Sequence, residues 1–434
     1  MDQKKMALVL LLFFLVISVI VSGCGNNENA TRKQGNETKV TISTEPLTLK
    51  MYHKGGTISD EEFQTYFVEP VSKKYPNITL QLVRDSAKGN SPEELLASGD
   101  FPDFIYTSNP SIPIYQDLGI IEDLNPLVKK HGLDLGKFQE VGLEMMRGYD
   151  PGKLVGLPLS MNMAALIYNK DIFDKFGIAY PKDNMSWDQA IELGKRLTRV
   201  EDGIRYIGID LWRVESVGSQ MTLPVVDPKA NKATINIDGW ARVLQLFKQV
   251  IDIPGYVDKN KVDYDFFKDN LAMFPIWATD LVGKLSNPDT AKLRNWDLVS
   301  LPYVTGYEGK GRNVDAHMLI VSSLSKHKDE AFAVIREVLS DEVQMTMAKA
   351  GRISPLKDES FRKNYLQGNP TFQGKHVEAL FMVSPTPLPP HSKHENQVRV
   401  IIRSAKQKLA VENKDINTIL RELQEEADKW IESH

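Results

Sequence analysis

Cysteine is almost absent from this 434-residue chain, which has only Cys24. A lone cysteine has no partner for an intramolecular disulfide and cannot form a cysteine-rich zinc or iron–sulfur site. A surplus of either charge is also lacking, since 53 lysines and arginines stand against 57 aspartates and glutamates, a net charge of -4. A charge so evenly balanced argues against a large basic surface for nucleic acid.

The overall composition is that of a folded protein. Apolar residues make up 42% of the chain, charged residues 25% and aromatic residues 9%. These proportions exclude a wholly disordered or collagen-like chain. The length predicts two or three domains with a core of ordinary size.

The first 23 residues have the pattern of an export signal. Lys4 and Lys5 precede an apolar run from Met6 to Val21, which is shorter than the ~20 residues of a membrane-spanning helix. No second run of this kind follows. The run ends Val-Ser-Gly-Cys24, which resembles a bacterial lipobox. We therefore expect lipidation of Cys24; a plain signal peptide with an unrelated cysteine is the alternative.

Residues 25–45 contain hardly any hydrophobic side chains. Such a segment cannot bury enough apolar surface to fold, so it predicts a flexible tether between the lipid anchor and the first folded element. Two or more acyl chains give stable membrane anchoring. We expect the protein on the extracellular face of the cell membrane, in a Gram-positive bacterium.

From residue 47 onward, strand and helix patterns alternate. Apolar residues recur at every second position in 47–51 and 78–82, and residues 104–106 form a short apolar run. Ser59 and Glu62 have the spacing of a helix-capping box, as do Ser186 and Gln189. Strands separated by helices predict parallel βαβ units, hence an α/β fold. An amphipathic pattern in the last residues predicts a closing helix.

A series of short motifs follows in a fixed order along the chain, and these motifs are Gly99–Tyr106, Leu118–Leu124, Gly156–Pro158, Leu166–Lys170, Phe173, Gly177-Ile178, Pro181, Ser186–Asp188, Leu271–Met273 with Trp277, Trp296–Pro302 and Gly351–Pro355. In this order they resemble the family-one extracellular solute-binding proteins of bacterial ABC importers, the sugar-binding branch that includes maltose-binding protein, over about residues 45–430. Three departures are Ser186, where the family has threonine, Asp188-Gln189, where it has an acidic pair, and the missing glycine before Trp277.

The resemblance implies a type II periplasmic-binding-protein-like α/β fold with two lobes, a hinge and a ligand cleft between the lobes. It places chain crossovers near 159–163 and 303–314, with a last exchange after Pro355. We expect an N-terminal lobe of residues 46–160 plus 312–355 and a C-terminal lobe of residues 161–311 plus 356–434. The implied function is capture of a sugar or oligosaccharide, a neutral and hydroxyl-rich ligand, and its delivery to the transmembrane subunits of an ABC permease. We expect a monomer without a cofactor or a bound metal, and not an enzyme.

Candidate ligand-binding residues follow from the chemistry of sugars, which need polar groups for hydroxyls and an aromatic ring for the C–H face. Ligands of open α/β sheets lie beyond the carboxyl ends of strands. Tyr52 and His53 end the first predicted strand, Asn109 follows the strand at 104–106, and Trp212 follows a predicted strand at 207–211. For each, a turn, a polar loop or core packing is the alternative.

Other candidates come from the later part of the chain. By resemblance, Asn162 replaces a carboxylate that contacts sugar, and Trp277 matches a tryptophan that stacks on sugar, with Asp280 three residues on. Arg352, in the family's late turn, is expected to bridge the lobes or bind ligand. Asp315 and His317 precede a strand that should be buried. The other four tryptophans are expected in the core or in structural packing: Trp187, Trp240, Trp296 and Trp430. The loop around His391, His394, Glu395 and Asn396 is expected to be solvated, with a place at the border of the cleft as the alternative.

Three other functions stay open on sequence alone. A secreted glycoside hydrolase or lyase needs two carboxylates across a sugar bond, and 57 acidic residues always offer candidates such as Asp280 and Asp315. A metal receptor would need a histidine cluster, whereas the eight histidines are scattered. A polyamine or peptide receptor would use carboxylates in its cleft.

Overall fold

The computed structural model describes residues 40, 42–292, 295–412 and 414–434. The predicted export signal, Cys24 and most of the predicted tether lie outside these residues. The chain divides into two units at residue 40, and all elements below belong to the second, residues 41–434. Within the described residues, no helix combines the length and apolarity that crossing a bilayer requires.

The strands, in chain order, are β1 (Leu47–Lys54), β2 (Ile78–Arg84), β3 (Phe104–Ser108), β4 (Leu157–Asn162), β5 (Ala164–Asn169), β6 (Arg199–Glu201), β7 (Ile204–Tyr206), β8 (Val226–Asp227), β9 (Lys232–Ala233), β10 (Met273–Trp277), β11 (Trp296–Ser300), β12 (Lys310–Asn313), β13 (Asp315–Val321) and β14 (Ser384–Thr386).

The α-helices are α1 (Asp60–Phe63), α2 (Glu69–Lys74), α3 (Pro92–Ser98), α4 (Ile112–Asp117), α5 (Leu124–His131), α6 (Glu140–Gly148), α7 (Lys170–Lys175), α8 (Trp187–Leu197), α9 (Val214–Gly218), α10 (Asp238–Ile251), α11 (Ala278–Leu285), α12 (Pro288–Lys292), α13 (Lys328–Val338), α14 (Asp341–Lys349), α15 (Glu359–Lys363), α16 (Glu395–Arg403), α17 (Ala405–Val411) and α18 (Ile416–Ser433).

A five-stranded sheet has the order β2-β1-β3-β13-β4. The first three strands are parallel, as the alternation of strands and helices predicts, and β13 is antiparallel to both β3 and β4. Strand β13 therefore lies between β3 and β4, so that a late segment of the chain completes an early sheet. All six residues of β4 are buried.

A second, three-stranded sheet has the order β10-β5-β11, with both outer strands antiparallel to β5. All six residues of β5 are buried, which fits a central strand covered on both faces. The chain passes from the first sheet to the second at Met163, between β4 and β5. It returns between β11 and β13, through residues 301–314.

Both predicted capping boxes are confirmed. The Ser59 hydroxyl accepts the backbone N–H of Glu62, and the Glu62 carboxylate accepts that of Ser59. The same reciprocal pair joins Ser186 and Gln189 at the start of α8. These bonds satisfy donors that a helix N-terminus leaves free. The predicted closing helix is α18, which buries its apolar face.

The core contains three of the four tryptophans expected there, with Trp187 and Trp240 1% exposed and Trp296 2% exposed. Trp430 is only partly buried at the edge of this core. Helix α8 approaches the segment after β7 very closely, because a Cβ on Gly208 would overlap the backbone of Gly194. This contact requires glycine for its size, since Gly208 has no positive φ.

Candidate functional site

A cavity of about 740 Å³ lies where strands of both sheets end. From the first sheet it is lined by Asn109, which follows β3, by Asn162 at the end of β4 and by Asp315 at the start of β13. From the second sheet it is lined by Trp277 at the end of β10. The volume is within the ~300–1,000 Å³ of small-molecule sites.

The structure places six of the ten predicted ligand-binding residues in the lining of this cavity. They come from segments far apart in the chain and from both sheets: Asn109, Asn162, Trp212, Trp277, Asp280 and Asp315. The remaining four do not line it, and their polar groups are bonded to other parts of the protein: Tyr52, His53, His317 and Arg352.

Tyr52 is fully buried in the first sheet, where its hydroxyl donates to Oδ1 of Asp85 at 2.8 Å. His53 lies beside Arg84, with Nδ1 of the histidine 3.3 Å from Nη1 of the arginine. Both side chains thus support the packing around β1. The carboxyl end of β1 is occupied by the protein's own groups rather than by open space.

His317 and Arg352 form a buried cluster with Tyr106. Nδ1 of His317 lies 2.9 Å from the Tyr106 hydroxyl and 3.1 Å from Nη1 of Arg352. Burial lowers the pKa of His317 to about 3, and the adjacent Arg352 charge acts in the same direction, so the ring is neutral. Arg352 donates from Nε and Nη2 to Oε1 of Glu62, at 2.8 and 2.7 Å. This arginine therefore ties the late turn to α1.

Asn162 joins the two sheets at the cavity. Its Nδ2 donates to Oδ2 of Asp315 at 2.9 Å, and its Oδ1 accepts the backbone N–H of Thr279 at 3.2 Å. The first bond reaches β13 and the second reaches the first turn of α11. Burial raises the pKa of Asp315 above its ordinary value. An amide suits this position because it can donate one of these hydrogen bonds and accept the other, whereas a carboxylate could only accept.

Trp212 and Trp277 lie on either side of an arginine. The guanidinium carbon of Arg312 is 4.8 Å from the ring centroid of each tryptophan, and that of Arg213 is 4.3 Å from the Trp212 ring. These distances are typical of cation–π contacts. Trp277, which meets one guanidinium rather than two, is the better candidate for stacking on a ligand.

Trp212 has a φ of 68°, a left-handed backbone conformation that is costly for a large side chain. It is held by its backbone N–H, which donates to Oδ1 of Asp210 at 2.7 Å. The predicted strand at 207–211 is absent, and only Ile207 forms an isolated bridge, to Leu271. The backbone N–H of Asp210 also donates to the carbonyl of Met273, so the segment lies alongside β10.

Helices α9 and α16 contribute charged side chains to the cavity lining. Glu215 is buried and accepts from Nε of Arg403 at 2.8 Å. Glu395 accepts from Arg399 and lies 3.0 Å from Nδ1 of His391. Burial alone would raise the pKa of Glu395, but the bond to His391 and the charge of Arg399 outweigh it and leave the pKa below its ordinary value.

The prediction of a solvated loop around residues 391–396 is wrong, because helix α16 begins at Glu395 and the segment borders the cavity, which was the alternative. His391, Glu395 and Asn396 line the cavity, and the His391 ring packs on Tyr149 with centroids 5.0 Å apart. Asn396 donates to the carbonyl of Pro110 at 3.0 Å, which connects the start of α16 to the segment after β3. A proline-rich stretch predicts a loop but says nothing about what that loop covers.

The arginines that line the cavity were not among the predicted ligand-binding residues. Arg312 lies on the return segment between the sheets, and its side chain is buried at the centre of the site. The only signal was its place just before Asp315, in a segment already chosen for its polar residues. Arg213 and Arg403 are distant from Arg312 in the chain, and only folding brings all three to the same cavity.

A second cavity of about 610 Å³ adjoins the first. The two share Trp212, Arg213, Trp277, Asp280 and Arg403, while the far wall of the second is aromatic, with Phe266 and Phe274. Among the described residues, no group of three or more histidine, cysteine, aspartate or glutamate side chains is arranged to hold a metal ion. The site therefore offers aromatic faces, amides, carboxylates and guanidinium groups to a ligand.

Residues 56–345, more than half of the chain, match the family model described as bacterial extracellular solute-binding protein. The chain belongs to this family. YcjN of Escherichia coli strain K12, provisionally named an ABC transporter periplasmic-binding protein, is 23% identical to this chain over 283 residues. That match covers 62% of this chain and 61% of YcjN, so the chain matches less than two thirds of its relative's length.

Solved structures of similar fold come from several bacteria. An ABC substrate-binding protein of Listeria monocytogenes, in complex with cycloalternan, superposes with a TM-score of 0.71 at 19% identity, covering 88% of this chain and 98% of that one. The sugar-binding protein MalE of Xanthomonas citri gives a TM-score of 0.70 at 16% identity, covering 89% and 98%. The predicted type II periplasmic-binding-protein-like fold is confirmed.

Proposed function

We propose that this protein is the sugar-binding receptor of an ABC importer. It captures a sugar or oligosaccharide in the 740 Å³ cavity and presents it to the permease. The observation that carries the proposal is the cavity itself, because tryptophan, amide and carboxylate side chains of both sheets meet there in a member of a solute-binding family. Relatives of the same fold were solved with cycloalternan and with mannotriose.

Capture works by closure of two lobes in this proposal. The N-terminal lobe comprises residues 46–160 plus 312–355 and the C-terminal lobe residues 161–311 plus 356–434. The chain passages at Met163 and at residues 301–314 serve as hinges, since a few residues suffice to let two rigid bodies rotate. The ligand must bind the closed form better than the open form in order to shift the population.

The protein carries out no chemistry in this proposal. Asp280 and Asp315 both line the cavity, so a secreted glycoside hydrolase is the second candidate. Incubation of the purified protein with pectic and xylan oligosaccharides should release no reducing ends. Release that disappears in an Asp315→Asn variant would instead identify an enzyme.

The primary test is ligand binding. A thermal-shift screen of mono- and oligosaccharides should give at least one saturable rise in melting temperature, because a ligand that binds only the folded state stabilises it. Trp277→Ala should weaken that binding at least tenfold, ~1.4 kcal/mol. Trp430→Ala is the matched control, since Trp430 lies outside the cavity, and it should leave affinity unchanged. Equal affinity in both variants would remove Trp277 from the site.

Anchoring by lipid at Cys24 is part of the same proposal, with a monomer tethered to the extracellular face of the membrane of a Gram-positive bacterium. Its support is the sequence pattern before Cys24. In a bacterial host, the wild-type protein should incorporate labelled palmitate and sediment with membranes. Cys24→Ala should lose the label; a labelled Cys24→Ala protein would contradict the assignment.

A further inference from the structure

Arg312 is a buried cation that forms no ion pair with any of the residues that the structure describes, although the charges of Glu215 and Asp280 act on it from a distance. It is 4% exposed, and its Nη1 atom has no hydrogen-bond partner in the part of the chain that the structure describes. The contact of Nη2 with the Pro275 carbonyl, at 3.4 Å, is long. Burial lowers the pKa of Arg312 to about 9, which still leaves it charged at neutral pH. A buried charge in this state is costly unless another group completes it.

A second guanidinium shares its surroundings. Arg213 also lies on the Trp212 ring, and within the described residues it has neither an ion pair nor a hydrogen bond from its side chain. Burial lowers the pKa of Arg213, and the charge of Arg403 acts in the same direction. The two cations, packed against one indole ring without ion pairs, repel each other, and a negative group between or beside them would offset this repulsion.

The protein's own carboxylates do not fill this role. Oε1 of Glu215 accepts from Arg403, and its Oε2 is buried without a hydrogen-bond partner. The charges of Glu215 and Asp280 act on Arg312 and Arg213 only through space, and neither carboxylate forms an ion pair with these two arginines among the described residues. All of these groups line the same cavity, so a ligand in the cavity lies beside the guanidinium of Arg312, whose Nη1 atom is itself shielded from solvent and reaches a ligand through a small shift of the side chain. A guanidinium offers two parallel N–H donors, a geometry that matches a carboxylate.

We infer that the ligand is an acidic saccharide, an oligosaccharide with at least one uronic acid unit, whose carboxylate binds at Arg312 with support from Arg213. The inference rests on the proposed function and narrows it. It replaces the neutral ligand that the sequence predicts. In the same molecule, the Trp277 ring packs against the C–H face of a sugar unit, and the amides of Asn109 and Asn162 bind hydroxyl groups.

The test compares each acidic saccharide with its own neutral derivative. Oligomers containing galacturonate, glucuronate or mannuronate, and the methyl ester of each, are titrated by calorimetry at low and at physiological salt. The methyl ester keeps the sugar ring and removes only the charge. We expect one acid oligomer to bind at least tenfold more tightly than its ester, with an affinity that falls as salt rises.

Arg312→Gln should abolish the preference for acid over ester, because glutamine keeps a planar hydrogen-bonding group without the charge. Arg213→Gln, at a less buried position, should reduce the preference and serves as the second variant if the first does not fold. Arg196→Gln, on the exposed side of α8, is the matched control and should bind as the wild type does.

The outcomes separate the two proposals. Binding of neutral oligosaccharides with no gain from a carboxylate, or an acid preference that survives both arginine variants, would overturn the acidic ligand and leave the sugar receptor standing. Binding of no saccharide, acidic or neutral, would overturn both.

Discussion

The buried ion pair of Lys406 with Asp210 should be essential to the stability of the fold. Nζ of Lys406 lies 2.8 Å from Oδ1 of Asp210, and the two side chains are 6% and 2% exposed. Replacement of Lys406 by methionine keeps most of the packing volume and removes the charge. Asp210 is then left as a buried carboxylate without its cation, which typically costs about 3–5 kcal/mol.

The local contacts set the expected value within that range. Asp210 keeps hydrogen bonds from the backbone N–H groups of Trp212 and Tyr264, at 2.7 and 3.0 Å, so its charge is still partly stabilised. Asp263, the other partner of Lys406, has an 82% exposed side chain and remains solvated. We therefore expect a loss of about 3 kcal/mol in the free energy of unfolding at pH 7.

The pH dependence of the loss has a definite sign. Burial already raises the pKa of Asp210, even though the charge of Lys406 opposes this, and removal of Lys406 raises it further. The folded variant then binds a proton more tightly than the unfolded chain does. Its stability therefore falls as pH rises above the unfolded carboxyl pKa of about 4. The deficit against the wild type should shrink as pH falls from 7 towards 4.

Urea unfolding followed by circular dichroism gives the free energies, provided that the slope against urea is unchanged. Lys248→Met is the matched control, because Lys248 pairs with Asp252 at the same 2.8 Å, with side chains 44% and 57% exposed. That exposed pair should contribute less than about 1 kcal/mol. Equal losses in the two variants, or a Lys406→Met deficit that does not change with pH, would refute the reasoning.

Two further substitutions test the packing and the helix starts. Gly208→Ala should destabilise the fold by about 3 kcal/mol or more, because the added Cβ would overlap the carbonyl of Gly194. The control is Gly148→Ala, where the added Cβ meets open space. Equal thermal unfolding midpoints for the two variants would contradict this prediction. Ser186→Ala should cost about 1 kcal/mol through loss of the capping box of α8, and the same melting temperature as the wild type would show that the box contributes nothing.

The fold could be predicted from sequence where the physics is local. Alternating apolar residues predicted β1 and β2, and capping pairs predicted the starts of α1 and α8. The expected strand before Trp212 was wrong because an apolar run does not reveal whether a neighbouring strand is available to pair with it. The antiparallel partners of β5 likewise depend on segments more than 100 positions away.

The candidate site was harder to predict, because its residues meet only after folding. Position at a strand end placed Asn109 and Asp315 in the lining, but the same argument placed Tyr52 and His53 at a strand end where protein groups satisfy them. The position of Arg312 shortly before Asp315 did not reveal its role, since whether an arginine is solvated or buried beside two rings depends on tertiary packing.

The insertion of β13 between β3 and β4 affects how the protein is made. Tyr106 and His317, which meet across β3 and β13, are 211 positions apart in the chain. During synthesis, the edges of β3 and β4 that pair with β13 stay unpaired until β13 has been made. Contacts between residues so far apart in the chain also form slowly. Unpaired edges of this kind attract other chains. A fragment that stops before residue 315 should thus aggregate rather than fold, and holdase chaperones should matter most during that interval.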